Sequence, residues 1–312
     1  MVLIPKLYVE EETRLIKGKM KTDNFKPYLW ILPSVTLLVT MIAIPVVTVF
    51  ELSVTDVGKT GLIKGFAGFE NFSAVFSDSN FWQALLNTLI WTIVVVLLST
   101  IIGFLFALAL NRPFFGKKVV RAIVIFPWAT SLTIQALVWK FILNADYGAL
   151  NTLLKRLGII DGLVNWTSSA LATFAWECWI GIFVTVPFVT YCLLSGLQSI
   201  DSTYYEAAEV DGSTYFTKLK RITIPLLKPN LTVSTVLNII YVFNSFPIIW
   251  IISKGGPADK THTLVTYLYK LAFYGGKTGY AASVSVIGFL ILCVFSGVYM
   301  IMTLKSENRD KK

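Results

Sequence analysis

The sequence predicts an all-α polytopic membrane protein with six transmembrane helices, and three observations carry this prediction. Of the 312 residues 55% are hydrophobic and only 14% are charged, whereas roughly a quarter of a soluble domain is charged. The apolar residues form blocks of about 20, which is enough for a helix to cross a bilayer. Within a block such as 92–110, apolar and polar residues do not alternate, so a helix is favoured over a β-barrel strand.

Six spans are expected, and the charges between them predict their orientation. Positively charged loops stay in the cytoplasm. The two tails, 1–27 and 305–312, and the loops after the second and fourth spans hold 18 Lys and Arg residues, whereas the other three loops hold 8. We therefore expect both termini in the cytoplasm, and the net charge of +9 reflects topology rather than nucleic-acid binding. The expected spans are 28–50, 87–110, 122–143, 171–195, 230–252 and 281–304.

Few ionisable residues lie within these spans. A charge at the centre of a membrane helix costs ~2.5–3.5 kcal/mol on the insertion scale, which makes each one a candidate for function. Lys140 lies about a turn from the end of the third span and is expected to extend outward to water. Glu177 lies near the outer end of the fourth span. The sequence leaves open whether Glu177 faces an outer vestibule or belongs to a translocation pathway.

The polar stretch 201–229 predicts a compact helix–turn–helix element at the membrane surface. Asp201 or Ser202 can cap a first helix through a side-chain oxygen. Gly212 then interrupts this helix, as a turn with left-handed backbone geometry requires. A second amphipathic segment follows, and it is expected to end before the fifth span at two prolines, Pro225 and Pro229.

Within this stretch, Glu206-Ala207-Ala208, Gly212, Ile222 and Pro225 resemble the "EAA…G…I.LP" loop of the membrane subunits of binding-protein-dependent ABC importers. The one departure is Ile224, which stands where the pattern has Leu. The resemblance covers about 28–304, without the first 27 residues, and points to sugar permeases related to the maltose-importer permease, in their shorter six-span form. The motifs that carry it are Leu32-Pro33, Gly68-Phe69-Glu70-Asn71-Phe72, Phe81-Trp82, Asn87-Thr88, Asn111-Arg112-Pro113, Phe126-Pro127-Trp128, Gly255-Gly256-Pro257 and Gly279-Tyr280-Ala281-Ala282.

This resemblance implies a type I ABC importer permease fold and a function in ATP-driven uptake of a sugar, a di- or oligosaccharide. It implies a bacterial or archaeal cytoplasmic membrane and four kinds of partner besides the bilayer: a second related permease, two cytoplasmic ATPase subunits, an extracytoplasmic solute-binding protein and the sugar. The chain has no G-x-x-x-x-G-K-[ST] phosphate loop. ATP and Mg are therefore expected on the partner ATPases, and no cofactor or catalytic site is expected on this chain.

The resemblance assigns the contact with the ATPases to 201–229, which is called the coupling loop from here on. Glu206 can pair with an Arg or Lys of the partner, Ala207 and Ala208 allow close approach, and Gly212 lets the chain turn sharply. The residues assigned to this contact are Glu206, Ala207, Ala208, Asp211, Gly212, Ile222 and Pro225.

Alignment with the maltose permease places the sugar contacts on the fourth and fifth spans. Asn238, Tyr241 and Ser245 are spaced three and four apart, so we expect them to share one helix face. Val242 stands where a polar residue is expected, which implies a sugar, or a placement of it, that differs from maltose. The alternative is that the polar members join helices within the bundle. The assigned residues are Val184, Thr185, Phe188, Asn238, Tyr241, Val242, Asn244 and Ser245.

Three other functions remain as alternatives. An ion-coupled secondary carrier usually binds its ion through acids in mid-membrane, and no predicted span has a clear acid at its centre. A polytopic membrane enzyme usually clusters acids, histidines or metal ligands at the membrane surface, and His262 is the only histidine, so no His-based metal site is expected. An ABC importer for a solute other than sugar, such as a glycerophosphate, is the third.

Overall fold

A computed structural model of the chain describes residues 26–58 and 60–310. The predicted N-terminal tail, 1–27, lies almost entirely outside the described residues. The chain forms two compact units, and the boundary between them lies between Leu52 and Ser53.

The first unit is one apolar helix with a π-helical turn in it. It consists of α1 (Lys26–Leu38), the turn π1 (Val39–Ala43) and most of α2 (Ile44–Ser53). Together these form an apolar helix of 26 residues, Tyr28–Ser53. In the most apolar stretch of this helix, no residue is buried within the chain. The span predicted at 28–50 is therefore present as a helix long enough to cross a bilayer.

The second unit holds a small hairpin and all the other helices. Strand β1 (Thr55–Val57) pairs antiparallel with β2 (Ile63–Phe66), and this side of the molecule is called the hairpin end. The helices follow in this order: α3 (Glu70–Phe76), α4 (Ser79–Asn111), α5 (Lys117–Ala129), α6 (Leu132–Ile142), α7 (Ala149–Arg156), α8 (Ala170–Gln198), α9 (Ser202–Val210), α10 (Tyr215–Lys218), the turn π2 (Leu219–Thr223), α11 (Ile224–Phe243), α12 (Pro247–Ile252), α13 (Leu264–Phe273) and α14 (Thr278–Asp310).

Across the described part of the chain, five helices are long and apolar enough to span a membrane, or six if one bent pair counts as a single span. That pair, α5 and α6, replaces the one span predicted over 122–143, and its two helices meet at an angle of 97°. The bend lies at Thr130 and Ser131, whose backbones are extended, and the Pro127 carbonyl oxygen just before it accepts hydrogen bonds from Thr130 Oγ1 at 3.1 Å and Gln135 Nε2 at 3.3 Å. These side chains take the place of helical backbone donors, so the chain can leave α5 without an unpaired carbonyl.

The core of the second unit is built on the contact between α4 and α8. A Cβ atom on Gly181 would lie 2.7 Å from a ring carbon of Trp91, and one on Gly103 would lie 2.9 Å from Val189. The two helices therefore approach more closely than larger residues would allow, which is how helices associate within a bilayer. The Trp91 indole Nε1 then donates to the Val242 carbonyl of α11 at 2.9 Å, so the same contact also positions α11.

At the hairpin end, polar side chains of α3 and α4 hold the loops that connect the helices. Asn71 Nδ2 donates to the carbonyl oxygens of Ser53 and Thr55 at 3.1 and 3.0 Å. Asn87 Nδ2 donates to the carbonyl oxygens of Lys260 and His262 at 2.8 and 2.9 Å. These contacts explain why asparagine occurs in the Gly68–Phe72 and Asn87-Thr88 motifs.

Asp78, which also caps α4, is the centre of a second polar cluster at this end. Its carboxylate accepts hydrogen bonds from the hydroxyls of Tyr267 and Tyr280 at 2.5 and 2.8 Å, and Asn80 N donates to it at 2.9 Å. Partial burial by itself raises the pKa of Asp78, but these hydrogen bonds outweigh it and hold that pKa below its usual value. The ionised Asp78 thus ties α4, α13 and α14 together.

Candidate functional site

The coupling loop begins with α9, which Asp201 caps. The Asp201 carboxylate accepts hydrogen bonds from the Thr203 backbone N and from Thr203 Oγ1, both at 2.9 Å. These bonds hold the pKa of the exposed Asp201 below its usual value. Of the two caps that the sequence allows, Asp201 is therefore the one used.

The helix ends in a tight left-handed turn at Gly212, as the sequence predicts. Gly212 has φ +68°, a conformation that costs a residue with a Cβ free energy. Ser213 N donates to the Ala208 carbonyl at 2.9 Å, and Gly212 N donates to the Glu209 carbonyl at 3.0 Å. This pair of bonds is a Schellman motif, which satisfies the last carbonyls of α9.

Two side-chain contacts fix the returning segment against α9. Lys218 Nζ donates to Glu209 Oε1 at 2.8 Å, and the hydroxyls of Tyr205 and Thr223 are 3.1 Å apart. The hydrogen bond and charge of Lys218 hold the pKa of Glu209 below its usual value. The helix–turn–helix element is thus formed within this chain without help from a partner.

The prediction that the second segment ends at Pro225 and Pro229 is wrong. The chain passes from α10 through π2 into α11 without leaving helical geometry, and Pro229 lies inside α11. Ile224 N donates to the Leu219 carbonyl five residues earlier. Proline cannot donate to the carbonyl four residues before it and clashes with it in an α-helix, whereas the wider π turn just ahead of Pro225 accommodates the ring. The coupling loop is therefore continuous with a membrane span.

The two alanines of the coupling loop face in different directions. Ala207 is exposed, as are Glu206 and Asp211, but Ala208 is buried against the rest of this chain. The resemblance assigned Ala208 to close approach of a partner, but a buried residue cannot have this role. Tyr205 and Ala208 are three residues apart and form the face of α9 that packs against this chain. Of the remaining assigned residues, Gly212 and Pro225 are exposed and Ile222 is partly buried.

Sequence reasoning missed the apolar side chains on the outer side of this element. Phe216 is 78% exposed and Val210 is 89% exposed, and two tyrosines next to them, Tyr204 and Tyr215, are also exposed. These four residues are called the apolar rim. The helical spacing that places Tyr205 and Ala208 inward also places Val210 outward. The exposure of Val210 could therefore have been predicted from the helical periodicity of α9.

Arg112, in the loop between α4 and α5, reaches the coupling loop. Its guanidinium carbon lies 4.8 Å from the centre of the Tyr215 ring, within the range of a cation–π interaction. This contact gives a physical role to the Arg of the Asn111-Arg112-Pro113 motif. It also defines the loop end of the molecule, where α4 ends beside the coupling loop.

The residues predicted to bind sugar do not form one surface. Tyr241 is 40% exposed, and Asn244 is exposed, with its side-chain Nδ2 donating to the Ile240 carbonyl at 2.8 Å. Phe188 is partly buried and stacks on Trp128 of α5, with ring centres 6.3 Å apart. The other five are buried within this chain: Val184, Thr185, Asn238, Val242 and Ser245.

The expectation that Asn238, Tyr241 and Ser245 share one helix face is wrong. Helix α11 ends at Phe243, so Ser245 lies beyond it and out of helical register. Asn238 is fully buried, and its Nδ2 donates to Ser99 Oγ of α4 at 2.8 Å. Asn238 therefore joins two helices in this structure, as the alternative from the sequence allowed.

Trp128 extends the exposed aromatic surface around Phe188. It is 51% exposed, and the bend after Ala129 places it at the end of α5. Exposed aromatic faces can pack on the C–H surfaces of a sugar. The Phe126-Pro127-Trp128 motif draws attention to Trp128 in the sequence. Its stacking on Phe188 could not be predicted, because it depends on how α5 packs against α8.

Glu177 lies inside the bundle and not in an open vestibule. It is fully buried, and neither carboxylate oxygen accepts a hydrogen bond from any residue that the structure describes. Lys140 is exposed, and its Nζ donates to the Ile251 carbonyl near the end of α12 at 2.8 Å.

Known proteins resemble this chain over most of its length. The profile of the family described as binding-protein-dependent transport system inner membrane component matches residues 99–304. A probable ABC transporter permease protein of Brucella suis is 45% identical over 281 residues, 90% of this chain and 97% of that protein. The trehalose/maltose transport system permease protein MalF of Thermococcus litoralis is 36% identical over 290 residues, 91% of this chain and 96% of that protein.

The fold is also found in a solved structure. A bacterial ABC transporter involved in the import of the acidic polysaccharide alginate contains a chain that superimposes with a TM-score of 0.80. The two chains are 23% identical, and the match covers 94% of this chain and 99% of that one. The helix arrangement described above is therefore the type I importer arrangement expected from the sequence.

Asn238 and Asn244 offer a matched test of the buried contact on α11. Asn238→Ala removes the bond to Ser99 and is expected to lower the free energy of unfolding of the purified protein by ~0.6–1.7 kcal/mol, the range for hydrogen bonds between membrane helices. Asn244→Ala removes a bond within one helix and is expected to change it by less than half as much. Thermal unfolding in detergent measures both, and equal effects would contradict a helix-joining role for Asn238.

Proposed function

Because this chain belongs to the family of binding-protein-dependent transport system inner membrane components, and is a permease subunit of a sugar-type ABC importer and not an enzyme, we propose that it carries a di- or oligosaccharide across the cytoplasmic membrane of a bacterium or archaeon. In this proposal a solute-binding protein delivers the sugar from outside, and a second, related permease completes the pathway. Two cytoplasmic ATPases bind the ATP and Mg that drive transport.

The observation that carries the proposal is the preformed coupling loop with its exposed apolar rim. A short helix held by a Schellman turn and the Lys218–Glu209 pair is rigid enough to receive force from a partner. The exposed Phe216 and Val210 offer side chains whose burial in a cleft of an ATPase would contribute ~1.5–3 kcal/mol each. Glu206, exposed beside them, can pair with a cation of the same partner.

The distribution of charge supports the orientation that this role requires. The tails and the loops after the second and fourth spans hold 18 Lys and Arg residues, against 8 in the other three loops, and the coupling loop is one of these positively charged segments. Positive charge is retained in the cytoplasm. The coupling loop, and the ATPases that bind it, are therefore placed on the cytoplasmic side in this proposal.

The exposed aromatic residues support a sugar as the cargo. Tyr241 on α11 and Trp128 on α5 are 40% and 51% exposed, and the partly buried Phe188 supports Trp128 by stacking on it, so both exposed rings could stack on a sugar. The likeness to a trehalose/maltose permease over 290 residues points to the same class of cargo. The buried members of the predicted set, such as Asn238 and Thr185, support the site from behind.

The orientation can be tested with single cysteines at two exposed aspartates. In a variant with all three native cysteines, Cys178, Cys192 and Cys293, replaced by Ser, Asp161→Cys is expected to react with a membrane-impermeant maleimide in intact cells. Asp211→Cys is expected to react only after the membrane is opened, because the coupling loop faces the cytoplasm. Labelling of Asp211→Cys in intact cells would contradict the predicted orientation and place the coupling loop outside.

Phe216 and Phe69 provide a matched test of the ATPase contact, since they are 78% and 79% exposed. Phe216→Asp is expected to reduce co-purification of the ATPase subunits by about tenfold or more, because burial of one Phe contributes ~1.5–3 kcal/mol. Phe69→Asp, beside the hairpin, is expected to leave co-purification unchanged. ATPase recovery that is the same in both variants would exclude the apolar rim from the contact.

The sugar contacts can be separated from assembly in a third experiment. Trp128→Ala and Tyr241→Ala are each expected to lower uptake of labelled disaccharide at limiting concentration by about two- to tenfold, since one aromatic contact contributes ~0.5–1.5 kcal/mol. Phe126→Ala, on the opposite face of α5, is the control and is expected to transport normally. Basal ATPase activity and subunit recovery should stay constant in all three variants, and normal uptake by both test variants would move the sugar site elsewhere.

A further inference from the structure

An apolar groove runs along the surface of the bundle between α4, α5 and α8. Its cavity is about 320 Å³, and every residue that lines it is apolar or aromatic. The lining includes Ile102 and Phe106 of α4, Val124 and Pro127 of α5, and Ile182 and Phe183 of α8. Such a groove offers space to an apolar chain, and the indole N–H of Trp179 is the one polar side-chain group among the residues that line it.

Cationic residues lie at one end of this groove. Lys117, Arg121 and the groove residue Val124 are spaced four and three apart along α5, so they share one helix face. Among the residues that the structure describes, Lys117 Nζ donates to the Asn111 carbonyl at the long distance of 3.5 Å. The hydroxyl of Tyr191 donates to the Arg121 carbonyl at 2.7 Å, which fixes this part of α5 against α8.

Arg121 is incompletely satisfied within the chain. Its Nε atom is buried and has no hydrogen-bond acceptor among the residues that the structure describes. A buried guanidinium donor without an acceptor costs free energy. The Arg121 side chain as a whole is only partly buried, so an anion beside its accessible atoms would stabilise the charge of the guanidinium, although Nε itself is covered. Phosphate is the anion that an arginine with a nearby lysine binds best, because the planar guanidinium can donate two parallel hydrogen bonds to it.

Cationic and apolar residues at the start of α5 mark the same place as a membrane interface. Phe115 is fully exposed and Phe114 is 41% exposed in the turn just before α5, and Val119 and Ile123 are exposed on the helix itself. Lys and Arg side chains near the end of a membrane helix extend to the headgroups, and Lys117 and Arg121 lie in the first two turns of α5. The cationic end of the groove therefore lies at headgroup depth and the groove itself lies below it.

We propose that this groove binds one anionic phospholipid, with an acyl chain between α4, α5 and α8 and the headgroup phosphate accepting hydrogen bonds from Arg121 and Lys117. The orientation in the proposed function places this lipid in the cytoplasmic leaflet. The lipid site itself does not depend on that orientation. Charge complementarity favours a lipid over a helix of the second permease, since an apolar helix would bring no acceptor to Arg121. Basic residues near a membrane surface each contribute about 1 kcal/mol to binding anionic lipid.

The experiment is native mass spectrometry of the complete purified importer with phosphatidylglycerol or phosphatidylcholine of identical acyl chains. The unmodified importer is expected to retain phosphatidylglycerol in preference. Arg121→Gln is expected to reduce this preference about fivefold, which corresponds to loss of one basic contact, whereas Arg121→Lys keeps most of it. Arg156→Gln, which changes an exposed arginine on α7, is the control and should leave the preference intact.

A second variant tests the groove itself. Ile123→Trp is expected to fill the groove and to reduce the retention of both lipids while the second permease and the ATPases still co-purify. Equal retention of both lipids by the unmodified importer would overturn the proposal, as would an unchanged preference in Arg121→Gln. Displacement of the lipid by inorganic phosphate alone would show a phosphate site and no lipid site. Loss of the second permease from Ile123→Trp would show that the groove is a subunit interface and would also overturn the proposal. Subunit recovery and sugar uptake are measured separately from lipid retention. A failure of this inference therefore leaves the proposed function intact.

Discussion

The close approach of α4 and α8 is the constraint on which the rest of the second unit depends. Lipid tails are as apolar as the helices, so membrane helices gain little from hydrophobic burial against each other and are held by close packing and hydrogen bonds. Gly103 and Gly181 allow that packing because Val189 and Trp91 occupy the space where a Cβ would lie. With α4 and α8 fixed, the Trp91 indole and the Ser99 hydroxyl meet the Val242 carbonyl and Asn238 of α11. One glycine-based contact therefore sets the positions of three helices.

The coupling loop is attached to each of these three helices. It follows α8 directly, it continues through π2 into α11, and Arg112 at the end of α4 lies over its Tyr215 ring. A displacement of α9 and α10 therefore moves helices that are already packed together, and little of it is lost in flexible connections. The π turn ahead of Pro225 is important here, because it keeps the backbone helical at a proline that would otherwise break it. The continuous helix makes the coupling loop part of the bundle and not an appendage to it.

The sequence predicted those features that depend on composition or on residues close in the chain. Apolar blocks located the long helices, Asp201 and Gly212 marked the ends of α9, and the EAA-type pattern identified the loop. The features that the sequence did not predict depend on contacts between distant parts of the chain or on side-chain hydrogen bonds at one turn, between α5 and α6. At that bend, Thr130 and Gln135 both donate to the Pro127 carbonyl. The burial of Ala208 and the bond between Asn238 and Ser99 depend on which helix lies opposite, and a single sequence does not contain that information.

The burial of the predicted sugar residues constrains where a translocation pathway can lie. A residue that binds cargo in a pathway between two subunits must be exposed when one subunit is considered alone. Asn238, Thr185 and Val242 fail this condition because they are buried within this chain, whereas Tyr241 and Trp128 meet it. Asn238 joins α11 to α4 through Ser99 and Thr185 donates to the Gly181 carbonyl of its own helix, while the aromatic residues on the surface of the bundle remain available to the cargo. In a membrane this separation is favourable, because a buried polar group needs a permanent partner, whereas an aromatic face tolerates lipid, protein or sugar in turn.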